Sequence, residues 1–332
     1  SKITYSHDNG QSWDAPSFEP SLVMAGQKIW GQRTADGKYA AVYTPTPCSE
    51  LRYPLAVIVS DDGYTYDHMR LICGDVAPRR YRGVAKDYGM NYVRGIAETN
   101  GQNKDGEFWV AFSMAKEDIF VSQIPVPVLR EVGFPHQIDF SGEDALNDWS
   151  VYSLIWAPVE VKPYGDIPAL LLKDADPIDY AKAERQFPPS AKVEVKLSVV
   201  PGQNDHGELF IELQDDKGLS HIRLHFSPDG LIWVRSSAKW GKLCAYKAGE
   251  CIDISIRNDC VNFAYEITVN GVSNSFMACA SCDTVSRIVF RTGELHDINE
   301  RDCTHDTADI PDCFDPIEPA EFYIRSLDVS PL

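Results

Sequence analysis

The sequence predicts an all-β protein in two parts, a repeat of four-stranded sheets followed by an antiparallel sandwich. Three observations lead to this fold class. A turn motif recurs about every 53 residues near the start of the chain. Later segments alternate apolar and polar residues, as half-buried strands do, with almost no helical periodicity. The 332 residues, 44% of them hydrophobic, are enough to bury two or three domain cores.

The repeated motif is a turn that follows a short apolar strand. Its first copy is Ser6–Trp13, and the second copy, Val59–Tyr66, has Asp, Gly, a hydroxyl and an aromatic residue at the same offsets. A third copy, Ser113–Phe120, keeps only the first serine and the final aromatic residue. In such a turn the aspartate accepts backbone N–H bonds, glycine takes a positive φ and the aromatic ring packs back across the strands.

Four short strands fit into each repeat. They are predicted at residues 28–34, 39–43 and 54–59, with a fourth strand beyond Tyr66. Four strands in a repeat of this length form one blade of a β-propeller. The chain then holds about two and a third blades, which cannot close a ring and would leave sheet edges unpaired. We therefore expect a companion N-terminal chain or segment of about 200–250 residues to complete six or seven blades.

The repeat ends near residue 130. The sequence therefore predicts two domains, residues 1–130 and residues 131–332. Beyond this boundary, segments such as 191–199 and 252–256 alternate apolar and polar residues, and Asp-Gly, Asn-Gly and Asn-Asp turns separate them. These features predict an antiparallel β-sandwich, closed by a final strand at 321–329. The pattern is similar to concanavalin and laminin-G jelly rolls, and this similarity implies a module that binds sugar or braces a neighbouring domain.

Charge and composition exclude several classes of function. Lysine and arginine total 31 against 49 aspartate and glutamate residues, which gives a formal net charge of −18. Such a surface repels the phosphates of nucleic acid. No apolar run approaches the roughly 18–20 residues of a membrane-spanning helix. A few convergent arginines can still form a local basic pocket for an anionic sugar.

The nine cysteines leave three interpretations open. Seven of them lie from Cys244 onward, either as free thiols of a reducing compartment or as disulfides of an exported protein. Cys303 and Cys313 are the candidate pair for a disulfide. Zinc is the weakest interpretation, because Cys279 and Cys282 have the spacing of a metal site without a second such pair.

The aspartates around Cys303 have two interpretations. One is a solvated acidic loop. The other is a structural calcium site, because hard oxygen ligands in a flexible loop suit this ion. The candidate calcium ligands are Asp302, Asp306 and Asp309. Beyond this candidate ion, we expect no required cofactor.

Candidate site residues come from the innermost strand of each predicted blade, because ligands of propellers bind at a mouth of the central channel. These strands are residues 28–34 and 91–96. The stretch 79–90 before the second strand contains four arginines or lysines, two tyrosines and two glycines. The candidate catalytic residues are Tyr92, Tyr88, Arg94, Glu98 and Asp87. The candidate substrate-binding residues are Arg33, Trp30, Gln32, Lys86 and Arg82.

These residue types suit a reaction at an acidic glycan. Arg33 and Arg94 can hold a carboxylate or sulfate by bidentate hydrogen bonds, and Trp30 can stack on a sugar face. A tyrosine polarised by a carboxylate is a nucleophile for glycoside hydrolysis. A tyrosine also serves as base or acid in elimination at a uronic acid. Alternatively, the same side chains line the channel as packing.

The first 130 residues resemble bacterial sialidase-like (BNR-repeat) proteins. The first turn motif matches the Asp-box pattern S-x-D-x-G-x-[ST]-W at every fixed position, and the segments 31–34, 86–89 and 92–96 add to the likeness. The resemblance implies the C-terminal blades of a sialidase-type β-propeller, followed by the jelly-roll sandwich.

Activity and location also follow from the resemblance as expectations. It implies an exo-acting glycoside hydrolase on an acidic glycan, either secreted or located in the periplasm or at the cell surface. The family includes sialidases, other exo-glycosidases and lyases. A polysaccharide lyase acting on a glycan that contains uronic acid therefore stays an alternative. A non-catalytic glycan-binding or adhesion protein is the other alternative.

Overall fold

The computed structural model describes residues 1–47, 51–83, 86, 88–96, 107–142, 144–296 and 309–332. All regular structure in these ranges consists of β-strands, so the protein is all-β as predicted. The chain divides into two compact units. The first unit comprises residues 1–131 and 296–311, and the second comprises residues 132–295 and 312–332. No helix in the described part of the chain is long and apolar enough to cross a membrane.

The first unit is built from short strands. They are β1 (Lys2–Ile3), β2 (Ser17–Phe18), β3 (Trp30–Arg33), β4 (Tyr39–Tyr43), β5 (Leu51–Arg52), β6 (Leu55–Ser60), β7 (His68–Cys73), β8 (Tyr88–Ile96), β9 (Glu107–Met114) and β10 (Asp118–Pro125). One four-stranded sheet has the order β3-β4-β6-β7, and another has the order β10-β9-β8-β5. Neighbouring strands are antiparallel, except that β5 runs parallel to β8. The first of these sheets confirms the four strands predicted for the complete repeat.

Burial differs between these two sheets. In the first sheet, the central strands β4 and β6 are nearly continuous apolar runs and are buried on both faces, as expected for a strand with cover on each side. In the second sheet, β9 alternates. Phe108 and Val110 are at most 1% exposed, whereas Trp109 on the opposite face is 39% exposed. The second sheet therefore has one covered face and one open face.

The first turn motif has the predicted hydrogen bonds. Asp8 Oδ1 accepts the Ser12 amide at 2.8 Å, and Ser6 Oγ accepts the Gly10 amide at 2.7 Å. Gly10 has φ +89°, in the region that favours glycine. However, Trp13 is 62% exposed, so the prediction that this ring packs back across the strands is wrong.

The second copy of the motif is shifted by one residue from the predicted alignment. Ser60 Oγ accepts the Gly63 amide at 2.9 Å, and Asp62 Oδ1 accepts two further backbone amides at 2.7 and 2.8 Å. The predicted aspartate, Asp61, instead pairs with Lys38 at the surface. The ring of Tyr66 packs against an apolar cluster, as predicted for this position. The copy is thus one residue shorter between aspartate and glycine than the first copy.

The third copy forms a two-residue hairpin turn without an aspartate. Ala115 and Lys116 have φ +49° and +61°, and the Glu117 amide donates to the Met114 carbonyl oxygen at 2.9 Å. Positive φ at both central residues is the signature of a type I′ turn. This turn connects β9 to β10 and projects Lys116 from its tip.

The second unit is an antiparallel sandwich. Its strands are β11 (Trp149–Tyr152), β12 (Val159–Val161), β13 (Leu170–Asp174), β14 (Lys182–Ser190), β15 (Lys192–Pro201), β16 (Leu209–Gln214), β17 (Ser220–Ser227), β18 (Leu231–Ser236), β19 (Lys239–Ala245), β20 (Ile252–Asp259), β21 (Ala264–Val269), β22 (Val272–Met277), β23 (Val285–Arg291) and β24 (Ala320–Pro331). One seven-stranded sheet has the order β11-β14-β23-β16-β17-β18-β19. The other has the order β12-β13-β24-β15-β20-β21-β22.

Alternation explains the core of the sandwich. On β15, Val193, Val195 and Leu197 are at most 2% exposed and face the core, while the residues between them face outward. The C-terminal strand β24 lies between β13 and β15, with Leu327 opposite Leu197. The strand predicted to close the sandwich is therefore an interior strand of one sheet, and only its last residue is exposed.

Candidate functional site

Tyr92 lies at a β-bulge in the inner strand β8. Asn91 pairs with Ser113 and Arg94 pairs with Ala111, so β8 has one residue more than β9 between these pairs. The extra residue gives Tyr92 a φ of +57°, which is uncommon for a bulky side chain. The Tyr92 side chain is also 50% exposed. Bulges and sparsely populated φ values cluster at functional sites, where the surrounding structure holds them in place.

Three cations converge on the ring of Tyr92. The Nζ of Lys28 lies 5.7 Å from the ring centroid, the guanidinium carbon of Arg52 lies 5.9 Å from it, and the Nζ of Lys116 lies 5.4 Å from it. These distances are within the range of cation–π interactions. In a chain with a formal charge of −18, three cations around one ring are a distinctive local arrangement. We call Tyr92 and its three cations the tyrosine site.

Sequence reasoning missed all three cations because each comes from a different segment. Lys28 precedes β3, Arg52 lies in β5, and Lys116 lies in the β9–β10 turn. Only the parallel pairing of β5 with β8 and the hairpin turn bring Arg52 and Lys116 to Tyr92. No spacing along the sequence signals such a convergence.

Arg94 and Arg33 have different surroundings. Arg94 lies two residues after Tyr92 and is exposed, and no other residue in the described part of the chain hydrogen-bonds or pairs with its guanidinium. Arg33 is held by its own hairpin. Its Nη2 donates to the Gly37 carbonyl oxygen at 3.3 Å, and its guanidinium lies 5.2 Å from the ring centroid of Tyr39. Among the described residues, Arg94 therefore has no partner that would compete with an anion. Arg33, by contrast, contacts Gly37 and Tyr39 of its own hairpin.

Trp30 and Gln32 join the two inner strands. The indole Nε1 of Trp30 donates to Gln32 Oε1 at 2.8 Å. The same indole lies so close to β8 that a Cβ added to Gly95 would be 2.0 Å from Nε1. Only a glycine at this position of β8 admits the ring. Trp30 and Gln32 are thus fixed next to the strand that carries Tyr92 and Arg94.

The basic stretch before β8 is organised around Glu117, whose side chain is only 3% exposed. Its carboxylate accepts the Arg80 and Tyr81 amides at 2.8 and 2.9 Å and pairs with Lys86 and with the Arg80 guanidinium. Burial opposes ionisation, but these bonds outweigh it and hold the pKa of Glu117 below its usual value. Lys86 is thus engaged in a buried network.

Tyr88 and Arg82 lie in the same stretch. The guanidinium of the buried Arg79 is 5.1 Å from the ring centroid of Tyr88 and donates to the Lys86 carbonyl oxygen at 2.9 Å. The Arg82 amide donates to Asp309 Oδ1 at 2.7 Å. Through these contacts, Tyr88, Lys86 and Arg82 fix the segment that leads into β8, whereas Tyr92 and Arg94 face outward.

Several candidate residues lie outside the described part of the chain. These are Glu98 and Asp87 of the catalytic set and Asp302 and Asp306 of the calcium set. Among the residues that the structure describes, no group of three or more His, Cys, Asp or Glu residues could hold a metal ion. Cys279, Cys282 and Cys313 form no disulfide with another cysteine of the described ranges. Cys303, the predicted partner of Cys313, lies outside those ranges. Calcium and the disulfide stay predictions.

The comparisons with known proteins agree with a sialidase-like protein. Residues 149–307 match the family model described as “Sialidase-like, CBM domain”. A solved structure named “Sialidase” is 36% identical, with a TM-score of 0.92 over 99% of this chain. This chain spans 30% of the length of that sialidase. The chain thus has a sialidase-like structure and includes a domain of carbohydrate-binding type.

Other similar structures are much more remote. An alginate lyase of polysaccharide lyase family 7 is 13% identical, with a TM-score of 0.37 over 56% of this chain and 94% of that chain. The apo Crh5 transglycosylase is 11% identical, with a TM-score of 0.42 over 59% of this chain and 83% of that chain. Likeness at this level carries no argument about function. No curated protein matches the sequence.

Proposed function

We propose that this chain belongs to an exported carbohydrate-active enzyme that hydrolyses an acidic glycan from its end, with the tyrosine site as the reactive centre. The observation that carries the proposal is the environment of Tyr92. This residue is exposed, has a backbone φ of +57°, and has three cations around its ring. The strained backbone presents the phenol, and the cations attract the anionic sugar. The guanidinium of Arg94, which has no partner among the residues that the structure describes, is the group that would hold the carboxylate.

The chemistry follows from the charge of the substrate. A phenol is a neutral nucleophile, so it approaches an anomeric carbon next to a carboxylate without the repulsion that an aspartate or glutamate nucleophile would meet. Trp30 and Gln32 lie beside this strand and offer an aromatic face and an amide for the sugar ring. Glu98 or Asp87 would polarise the phenol, and this assignment stays a prediction.

The open face of the second sheet supports completion by a further blade. Ile96, Trp109 and Val121 lie on this face with exposures of 53, 39 and 52%, and Ile119 is 81% exposed. Arg94 shares this face, since it pairs with Ala111, and a cluster of exposed apolar side chains marks an interaction surface. Burying each side chain contributes about 1.5–3 kcal/mol. We propose that a companion chain or segment packs here and supplies the rest of the site.

A second candidate function is glycan binding without catalysis. The match of residues 149–307 to a carbohydrate-binding domain favours it. In such a protein the tyrosine site would hold an acidic sugar, and Tyr92 would contact the sugar without forming a covalent bond to it. Binding and turnover therefore have to be measured separately.

The test compares Tyr92→Phe with Tyr64→Phe. Tyr64 is also an exposed tyrosine of the first unit, 45% exposed in the second turn, so it controls for loss of a surface hydroxyl. The substrates are chromogenic glycosides of N-acetylneuraminic acid and galacturonic acid, given to the chain with any polypeptide that co-purifies. Without the phenolic oxygen, turnover should fall by about 10³-fold or more, while binding changes less than about twofold.

Each other outcome of this test has a meaning. With an oligogalacturonide as a further substrate, a product with an unsaturated uronate chromophore indicates elimination in place of hydrolysis, because the C5 proton is removed and the sugar oxygen at C4 leaves. Binding by the unaltered protein without turnover of any substrate supports the second candidate function. Equal turnover in Tyr92→Phe and Tyr64→Phe contradicts the assignment of Tyr92 as nucleophile.

A further inference from the structure

The outward face of β17, β18 and β19 carries aromatic and basic side chains together. Core-facing residues of these strands, such as Leu224 and Val234, are completely buried, so the alternate residues face outward. Cross-strand pairs place His225 opposite Trp233, Trp233 opposite Lys242, and Arg235 opposite Trp240. We call the following six residues the tryptophan platform. They are Arg223, His225, Trp233, Arg235, Trp240 and Lys242.

Tryptophan on an outward face is a distinctive feature in this unit. Trp149, on β11, faces the core and is only 9% exposed. Trp233 and Trp240 are both half-buried on neighbouring strands, so part of each ring meets solvent at an energetic cost. An outward aromatic ring with a polar handle is suited to a ligand with an apolar face and polar edges. Sugar rings have this combination.

Neighbouring side chains hold the platform in place. His225 stacks on Phe210 with 4.3 Å between ring centroids and an interplanar angle of 6°, and its Nε2 lies 2.7 Å from Glu208 Oε2. The Nε1 of Trp233 donates to Asp229 Oδ2 at 3.2 Å. Such fixed side chains lose little conformational entropy when a ligand binds.

The charge of the platform determines the class of ligand. Arg223 pairs with the buried Glu212, with 2.9 Å between Nε and Oε1, and Glu212 also pairs with Arg291. By contrast, neither Arg235 nor Lys242 has a carboxylate partner among the residues in the described ranges. Arg235 instead lies 5.5 Å from the ring centroid of Trp240. Two cations that have no carboxylate partner in those ranges lie beside two tryptophans, and together they form a basic aromatic surface on an acidic protein.

We infer that the tryptophan platform is a second glycan-binding site, which takes a stretch of a polyanionic polysaccharide. The rings of Trp233 and Trp240 would stack on successive sugars, while Arg235 and Lys242 would pair with carboxylates along the chain. The site uses only the sandwich unit, so it is independent of the reaction proposed at the tyrosine site. Its role would be to hold the polymer on the protein.

The experiment measures binding of the full chain to polygalacturonate and to methyl-esterified polygalacturonate by isothermal titration at low and high salt. The inference predicts tighter binding of the acid polymer, with an advantage that falls at high salt. Trp240→Ala should weaken binding of both polymers by roughly tenfold, and Trp240→Phe should retain most of it. Lys242→Ala should weaken binding of the acid polymer alone, by roughly three- to tenfold.

Lys239→Ala is the matched control for charge, because Lys239 is an exposed lysine at the start of the same strand and lies outside the platform. This variant should bind as the unaltered chain does. The inference is overturned if the chain binds neither polymer, if it binds both equally, or if Lys242→Ala and Lys239→Ala behave alike.

Discussion

Gly95→Ala is the substitution that tests the architecture of the tyrosine site most sharply. Gly95 has an ordinary φ, so the backbone itself tolerates alanine. The added Cβ would, however, lie 2.0 Å from Nε1 and 2.4 Å from Cε2 of Trp30, distances that no packed structure accommodates. The indole must therefore leave β8, and its hydrogen bond to Gln32 breaks.

The expected destabilisation follows from the steric clash and from the lost hydrogen bond. Forcing an extra methyl group into a packed contact costs about 1–3 kcal/mol, and the lost hydrogen bond costs about 1 kcal/mol more. The expected destabilisation is therefore about 2–4 kcal/mol. Each kcal/mol lowers Tm by about 2–4 °C for a domain of this size, so Tm should fall by about 4–16 °C.

The assay is thermal unfolding followed by tryptophan fluorescence, with Gly31→Ala as the matched control. Gly31 is next to Trp30 on β3, and a Cβ there would be 3.8 Å from the Ala40 carbonyl oxygen, an ordinary contact. Gly31→Ala should change stability by less than about 0.5 kcal/mol. Adding Trp30→Ala to Gly95→Ala should remove the clash, so the double variant should be more stable than additivity predicts. Equal Tm values for Gly95→Ala and Gly31→Ala would refute the reasoning.

Three further predictions concern stability. Asp62→Ala should lower Tm more than Asp61→Ala, because Asp62 accepts two backbone amides in its turn; equal decreases would contradict the one-residue shift. Burial raises the pKa of Asp174 to about 6, so the folded protein keeps a proton that the unfolded chain releases. Stability should therefore fall by about 2–3 kcal/mol as pH rises from about 4 to 6, and urea unfolding of Asp174→Asn should lack this decrease. Glu117→Gln should cost about 1–3 kcal/mol in urea unfolding, because Lys86 loses its pairing with this buried carboxylate, whereas Arg80 keeps its pairing with Asp118; a change below about 0.5 kcal/mol would disprove that role.

Much of the fold could be predicted because strand period and turn chemistry are local. The four strands of the complete repeat follow from apolar runs between turns, and the sandwich follows from alternation. The turn alignment failed by one residue because Asp61 and Asp62 are adjacent, and sequence offsets alone do not show which carboxylate caps the turn. The prediction that the Trp13 ring packs across the strands was wrong for a different reason. A local motif cannot show what, if anything, covers its aromatic ring.

The candidate site was predictable only in part. Tyr92 and Arg94 are candidates from sequence because they lie on one inner strand within a distinctive segment, and their roles stay predictions. The cations that surround Tyr92 could not be found, since β-pairing brings together residues from separate segments. The substrate-binding role of Lys86 stays a prediction. Its contact with Glu117, 31 residues away, could not be predicted, because no sequence pattern links the two residues.

The most direct test of the central claim is whether the tyrosine site recognises the carboxylate of a sugar. Titration calorimetry should compare galacturonic acid and N-acetylneuraminic acid with their methyl esters, using the unaltered chain, Arg94→Ala and Arg70→Ala. Arg70 is an exposed arginine on β7 and serves as the control. We predict that each acid binds about tenfold or more tightly than its ester, and that Arg94→Ala alone removes the difference. Equal affinity for acid and ester, or an undiminished preference for the acid in Arg94→Ala, would contradict the claim that the tyrosine site recognises a sugar carboxylate.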